Sequence, residues 1–241
     1  MRVYCPDLPT GGDVALSSEE AEHAVRVFRM KVGDRCELFD GRGNWAIAIF
    51  NTAQKRTATV RIQEYHQSCT KKDSELIVGI GLPRGDRQRN VIERATELDV
   101  DTIVPLNCEF SVAVATDNSV ERARRTVIES CKQSGRNRLM DISMPLTYSE
   151  WISTDETSTL RLICHPRLEE SVGIRDLSKL REQFKGNNLG SVVLAVGPEG
   201  GFSDDEVQLA IKNDWIPLDL GPLILRVETA LCVAVTIARS I

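Results

Sequence analysis

Short apolar runs of alternating period fill residues 1–66, with one helical stretch among them. Ala21, Ala24, Val25 and Phe28 recur at helical spacing. They follow Ser17-Ser18-Glu19-Glu20, where the Ser17 hydroxyl can accept the Glu20 amide and the Glu20 carboxylate can reach back, a reciprocal cap. Strand-like runs come next at 35–40, 45–51 and 57–65. Gly41-Arg42-Gly43-Asn44 joins the first two and suits a hairpin turn. The pattern predicts a small β-barrel carrying one helix. Residues 67–73 are polar and aperiodic, so the domain boundary is expected there, with units of 1–72 and 73–241.

Beyond residue 74 the period changes. Apolar runs at 76–82, 102–106, 160–164, 192–196 and 217–220 alternate with helical stretches near 87–98, 118–134, 204–213 and 227–239. Alternating strands and helices predict an α/β fold, an open and mostly parallel sheet with helices on both faces. The last helix carries Ala230, Leu231, Val233, Ala234, Val235, Ile237 and Ala238 and is apolar almost all round. Such a helix packs inside a core or across a dimer interface.

Composition narrows the class. The chain has 241 residues, enough for one large or two modest domains, and 41% are hydrophobic, which excludes disorder. The seven cysteines are odd in number and include no C-x-x-C pair, and the three histidines are far apart. Neither a disulfide frame nor a metal site is expected. The N-terminus has no apolar signal region, and the longest apolar stretch, 230–238, is too short to span a bilayer. A soluble cytoplasmic protein is expected. The net charge of −5 argues mildly against a nucleic-acid partner, but local charge counts for more. Residues 121–138 carry six basic side chains against two acidic ones, residues 84–94 carry Arg84, Arg87, Arg89 and Arg94, and residues 26–35 carry Arg26, Arg29, Lys31 and Arg35. An acidic protein with three such segments can present RNA with one basic face.

Two segments carry candidate chemistry. In the first, a buried strand at 192–196 runs into Gly197-Pro198-Glu199-Gly200-Gly201-Phe202. Ligands of open α/β sheets bind just beyond the carboxyl ends of strands, and glycines there let backbone approach a flat ligand. The helix that follows opens with the capping box Ser203-Asp204-Asp205-Glu206, whose acids oppose a phosphate. The loop suits an uncharged ring better than a nucleotide phosphate. In the second, Leu218-Asp219-Leu220 meets Gly221-Pro222, and Arg226 and Glu228 stand where loop becomes helix. The Rossmann glycine fingerprint, the Walker A loop and the nucleophile elbow are absent from the sequence.

Together these segments resemble the RsmE family of small-subunit ribosomal RNA methyltransferases, in the SPOUT superfamily. Gly197-Pro198-Glu199-Gly200-Gly201-Phe202 matches that family's first loop, and Leu220-Gly221, Ile224-Leu225-Arg226 and Glu228-Thr229-Ala230 match its second. Weaker echoes lie at 23–34, at Ala95-Thr96-Glu97-Leu98 and at Gln133-Ser134-Gly135-Arg136. The resemblance implies a PUA-like N-terminal barrel that helps hold RNA. It also implies a C-terminal SPOUT domain whose chain end threads a deep trefoil knot, and a homodimer. S-adenosylmethionine (SAM) is the implied cofactor, held by Gly197, Pro198, Glu199, Gly200, Leu220, Gly221, Ile224, Leu225, Thr229 and Ala230. The implied reaction is N3-methylation of a uridine in 16S ribosomal RNA of the small subunit. Arg226 is then the candidate stabiliser of the uridine anion, and Glu228 the candidate base or orienter of Arg226. RNA would be gripped by Arg26, Arg29 and Lys31 in the barrel and by Arg84, Arg87, Arg136 and Arg138 in the larger domain. A ribose 2′-oxygen or transfer-RNA base as target, and a non-catalytic RNA binder of the same fold, are the competing readings. Departures from the family pattern include Arg94 for Lys, Asp99 for Gly, Lys132 for Glu, Met140 for Pro and Val227 for Thr. Phe110 and Leu223 each replace an Arg, which bears on efficiency and on the target base.

Overall fold

A computed structural model describes residues 1–68, 74–112, 116–154, 159–166, 172–173 and 190–241. The chain forms two compact units, Met1–Lys71 with Ile128–Leu139, and Lys72–Val127 with Met140–Ile241. Of the boundary expected at 67–73, residues 69–73 lie outside the described ones.

In the first unit β1 (Arg2–Tyr4), β2 (Asp13–Ala15), β3 (Arg35–Phe39), β4 (Trp45–Gln54) and β5 (Thr57–His66) form one sheet in the order β1-β3-β4-β5-β2. All pairs are antiparallel except β1 with β3. Among the described residues the two edge strands, β1 and β2, are not paired with each other. The β3–β4 hairpin turns at 41–44. There the buried Asp40 carboxylate accepts the amides of Arg42 (2.7 Å) and Asn44 (3.0 Å). Alternation along β4 sends Ala46, Ala48 and Phe50 inward against Val3, Leu38, Val60 and the Ala21 and Ala24 face of α1 (Ser18–Arg26).

The expected cap of α1 is half made. The Ser17 hydroxyl accepts the Glu20 amide at 3.2 Å. The Glu20 carboxylate, nearly buried, instead pairs with Lys132, which also holds Glu129 at 2.9 Å. Burial pulls the Lys132 ammonium down, but hydrogen bonds to Glu20 and Glu129 outweigh it and hold its pKa above the ordinary lysine value. Arg2 ties the same stretch to the sheet. Its guanidinium pairs with Glu37 (2.7 Å), donates to the Cys131 carbonyl (2.6 Å) and lies 4.7 Å over the Phe39 ring. Arg136 and Arg138, expected in the larger domain, therefore cluster with the smaller unit.

The second unit contains β6 (Glu75–Ile80), α2 (Asp86–Glu97), β7 (Thr102–Asn107), α3 (Asp117–Ser134, whose last turns belong to the first unit), β8 (Asp141–Ile142), β9 (Leu146–Thr147) and α4 (Tyr148–Ile152). It continues with β10 (Thr159–Cys164), β11 (Val172–Gly173), β12 (Ser191–Val196), α5 (Asp204–Lys212), β13 (Ile216–Asp219) and α6 (Val227–Arg239). The sheet order is β11-β13-β10-β12-β6-β7-β8, with β9 also on β7, and every pair is parallel. Every residue of β12 is buried, as its unbroken apolar run requires of a strand covered on both faces. Val193 and Ala195 pack with Tyr148, Ile152, Val207 and Ala210 of α4 and α5. The alternate residues face the other way, and α6 packs on β12 and on α2. On α6 the face of Val227, Leu231, Ala234, Val235 and Ala238 is buried, while Cys232 and Val233 remain partly exposed. No helix among the described residues is long and apolar enough to cross a membrane.

Removing one partner of a buried ion pair strands the other. Lys132→Met is expected to destabilise the first unit by about 3 kcal/mol, and the double variant Glu20→Leu/Lys132→Met to recover most of that. Hydrogen exchange of the β4 and β5 amides reads this unit alone. Equal exchange in wild type and Lys132→Met would remove the pair from the account of its stability.

Candidate functional site

Parallel strands deliver their exit loops to one edge of the sheet. At that edge a cavity of about 770 Å³ opens beyond β10, β12 and β13. Its walls are Cys164, His165 and Pro166, the loop at 197–202, the loop at 219–225, and Val227 and Ala230 from the first turn of α6. The volume suits a drug-sized organic ligand.

The first loop is built by close backbone approach. The Gly81 amide, one residue past β6, donates to the Val196 carbonyl at 3.0 Å. A Cβ on Gly81 would lie 2.6 Å from the Pro198 nitrogen. Only glycine lets the β6 exit pass this close to the β12 exit. The loop then turns back through Gly201 N to Pro198 O (2.9 Å), and Ser203 and Glu206 cap α5 reciprocally, as the sequence indicates. The second loop is pinned by Asp219, whose carboxylate accepts the Gly221 amide at 2.8 Å.

Charge in the lining is one-sided. Glu199 and Asp219 are acidic, and no lysine or arginine is among the described lining residues. Asp204, Asp205 and Glu206 follow in the first turn of α5. Such a wall repels phosphate and suits a neutral or cationic ligand.

The basic groups stand just outside. Arg87, in the first turn of α2, pairs with Glu199 of the first loop and with Glu228 at the start of α6 (2.9 Å). One guanidinium thus joins three chain segments, a task suited to its planar fork. Arg87 holds the Glu228 carboxyl below the ordinary glutamate value, with burial opposing and Arg226 adding a smaller effect. Arg226 is the N-cap residue of α6. Its carbonyl accepts the amides of Thr229 (2.9 Å) and Ala230 (2.8 Å), while its side chain is exposed and has no hydrogen-bond or ion-pair partner among the described residues.

A family model described as RNA methyltransferase domain matches residues 70–239, and one described as RNA methyltransferase PUA domain matches residues 16–63. The chain is 31% identical over 235 residues to the ribosomal RNA small subunit methyltransferase E of Synechocystis, covering 96% of this chain and 74% of that relative. The chain belongs to the ribosomal RNA small subunit methyltransferase E family. The Rickettsia conorii member is 30% identical, with 99% of this chain and 94% of the relative covered. Two solved structures are similar over 99% of this chain and 96% of theirs. One is the Neisseria gonorrhoeae family member bound to SAM (26% identity, TM-score 0.85), and the other a Legionella pneumophila methyltransferase in complex with SAM (28%, 0.84).

The cavity brings together most positions carried over from the methyltransferase E motifs. Gly197, Pro198, Glu199, Gly200, Leu220, Gly221, Ile224, Leu225 and Ala230 all line it. Thr229 does not; on α6 it lies on the exposed side, while Val227 and Ala230, three residues apart, share the face toward the cavity. Arg226 and Glu228 flank the lining residue Val227 without lining the cavity themselves. Glu228 pairs with Arg87 at 2.9 Å. Arg87, expected on RNA, is engaged by two carboxylates. Arg84 is exposed, as are Arg26, Arg29, Lys31 and Arg138, and Arg26 is paired with Glu22. Cys164, His165 and Pro166 were not expected in the site. Their place depends on β10 lying between β12 and β13, which no local motif declares.

The depressed Glu228 carboxyl has a pH signature. Its pairing adds stability that is full above the ordinary glutamate value of about 4.3 and is lost as pH falls through the lower folded value. Arg87→Met is expected to return Glu228 toward the ordinary value, followed by carbon-13 NMR titration of the carboxyl. An unmoved titration would uncouple the two residues.

Proposed function

We propose that the chain uses SAM to methylate N3 of a uridine in 16S ribosomal RNA of the small subunit. The observation that carries this reading is a glycine-walled, acid-bearing cavity at the ends of β10, β12 and β13, with Arg226, unpaired among the described residues, beside it. SAM is a net cation with a flat adenine, and acids without basic groups suit it better than they suit a nucleotide. Gly197, Pro198, Glu199, Gly200, Leu220, Gly221, Ile224, Leu225 and Ala230 hold it, and bound SAM supplies an electrophilic methyl group.

The chain's own residues prepare the acceptor. The uridine imide keeps its N3 proton at neutral pH, and the anion left on its loss is spread over O2 and O4. Arg226, placed by its backbone at the α6 N-cap and without a side-chain hydrogen bond or ion pair among the described residues, stabilises that charge and favours loss of the proton. Glu228 anchors Arg87, which joins the first loop to the start of α6, and the N3 proton passes to solvent water. N3 lies on the Watson–Crick edge, so the base reacts unpaired. Arg26, Arg29, Lys31, Arg84, Arg136 and Arg138 hold the RNA backbone. The partly exposed side of α6, with Cys232 and Val233, pairs two copies as a homodimer.

The pure protein, given SAM and either 30S subunits or naked 16S RNA, is expected to yield 3-methyluridine by nucleoside mass spectrometry. A 2′-O-methylated nucleoside instead would overturn the reading.

Arg226→Ala is expected to keep fold and SAM affinity but lose about 100-fold in single-turnover rate, with Arg226→Lys recovering only part. Turnover near wild type in Arg226→Ala would leave the arginine a structural role only.

A further inference from the structure

Phe39, Phe50 and Phe202 are buried, Phe28 is exposed in the first unit, and Phe110 is 46% exposed beside Gly200 of the cavity loop. It is held there firmly. Beyond β7 the Cys108 amide donates to the Ser111 hydroxyl (2.9 Å) and the Ser111 amide to the Cys108 carbonyl (3.1 Å), closing a turn around residue 110. The Glu109 amide donates to the Glu206 carboxylate (2.9 Å), whose other oxygen accepts the Ser203 amide (2.9 Å). One carboxylate thus couples this turn to the end of the cavity loop. The Phe110 side chain lies directly over Gly200, which lines the cavity; a Cβ on Gly200 would come within 2.7 Å of the Phe110 Cβ. Any other residue at 200 would displace the ring.

We propose that Phe110 is the platform on which the unpaired target base stacks as its edge enters the cavity. The inference rests on the uridine-methyltransferase reading above. An unpaired base has lost its stacking neighbours, and an aromatic face restores that contact without reading the sequence. The occupant follows from charge. Glu199, paired with Arg87, and Asp219 line the cavity, and no lysine or arginine is among its described lining residues, so it favours an uncharged base over a phosphate. The Phe110 ring therefore meets the base, while the backbone stays on the cations outside.

The test has two arms. A 16S RNA transcript carrying 5-iodouridine is irradiated on the intact protein, and the adduct is located by peptide mass spectrometry. Crosslinking to Phe110 supports the platform; crosslinking that spares residues 108–112 overturns it. In the second arm Phe110→Ala is expected to raise the KM for RNA about 5- to 150-fold, the range for loss of one stacked base, with SAM affinity unchanged by calorimetry. Phe110→Trp restores the KM. Phe110→Leu, which keeps the packing on Gly200 but has no aromatic face, behaves as Phe110→Ala. A Phe110→Leu enzyme as good as wild type, or a loss confined to SAM affinity, would overturn the proposal. Crosslinking at Phe110 without formation of 3-methyluridine would sink the functional reading alone. Normal methylation by Phe110→Ala would sink the platform alone.

Discussion

The site depends on how closely two strand exits can approach. β6 and β12 are neighbours in the parallel ladder, and the hydrogen bond from Gly81 to Val196 continues that ladder past the last strand residue. A side chain at 81 would strike the Pro198 backbone, so the approach exists only because the residue is glycine. It fixes where the 197–202 loop begins. It also fixes where α2 begins, and hence that Arg87 reaches both Glu199 and Glu228. The loops, the helix start and the ion pairs all follow from a contact between two pieces of backbone.

The two arginines beside the cavity divide the electrostatic work. Arg87 has two carboxylates to satisfy and no charge left over for a ligand. Its pairs are part-exposed, where ion pairs contribute little free energy, so its effect is on geometry. Arg226 is not tied by its side chain; it is placed by its backbone, as the residue whose carbonyl starts α6. Both loops are acid-bearing, so an unshielded arginine in this position would be drawn onto them. Arg87 occupies Glu228 and Glu199 and leaves Arg226 available.

Much of this was legible in the sequence, for a reason that also sets its limit. The long elements announce themselves by period: β4, β5, β12, α2, α3 and α6 lie where the apolar spacing puts them. Strands of two or three residues, such as β1, β2, β8, β9 and β11, are too short to have a period. The five-residue α4 is signalled only by its Thr147–Glu150 capping box. Capping is likewise legible only in its local half. Ser17 meets the Glu20 amide three residues on, but the Glu20 carboxylate prefers Lys132, brought near by α3. The two glycine loops are local motifs and could be read. Cys164, His165 and Pro166 are wall residues only by virtue of strand order. Arg87 looks like any other basic residue until the fold sets carboxylates beside it.

Strand order is therefore the link between sequence and chemistry. β13, β10, β12, β6 and β7 are consecutive neighbours, and each sends its exit to the same edge. They contribute, in that order, Asp219 and the second loop, the 164–166 wall, the 197–202 loop, the Gly81 contact with Arg87 beyond it, and the turn that carries Phe110. In chain order these pieces arrive as β6, β7, β10, β12 and β13. The chain builds outward from β6 through β7, then returns to the other side of β6 for the rest. Such reversals leave a crevice between diverging loops. The cavity opens on one side of that reversal, beyond β10, β12 and β13, and Arg87, beyond β6, latches its first loop to the start of α6.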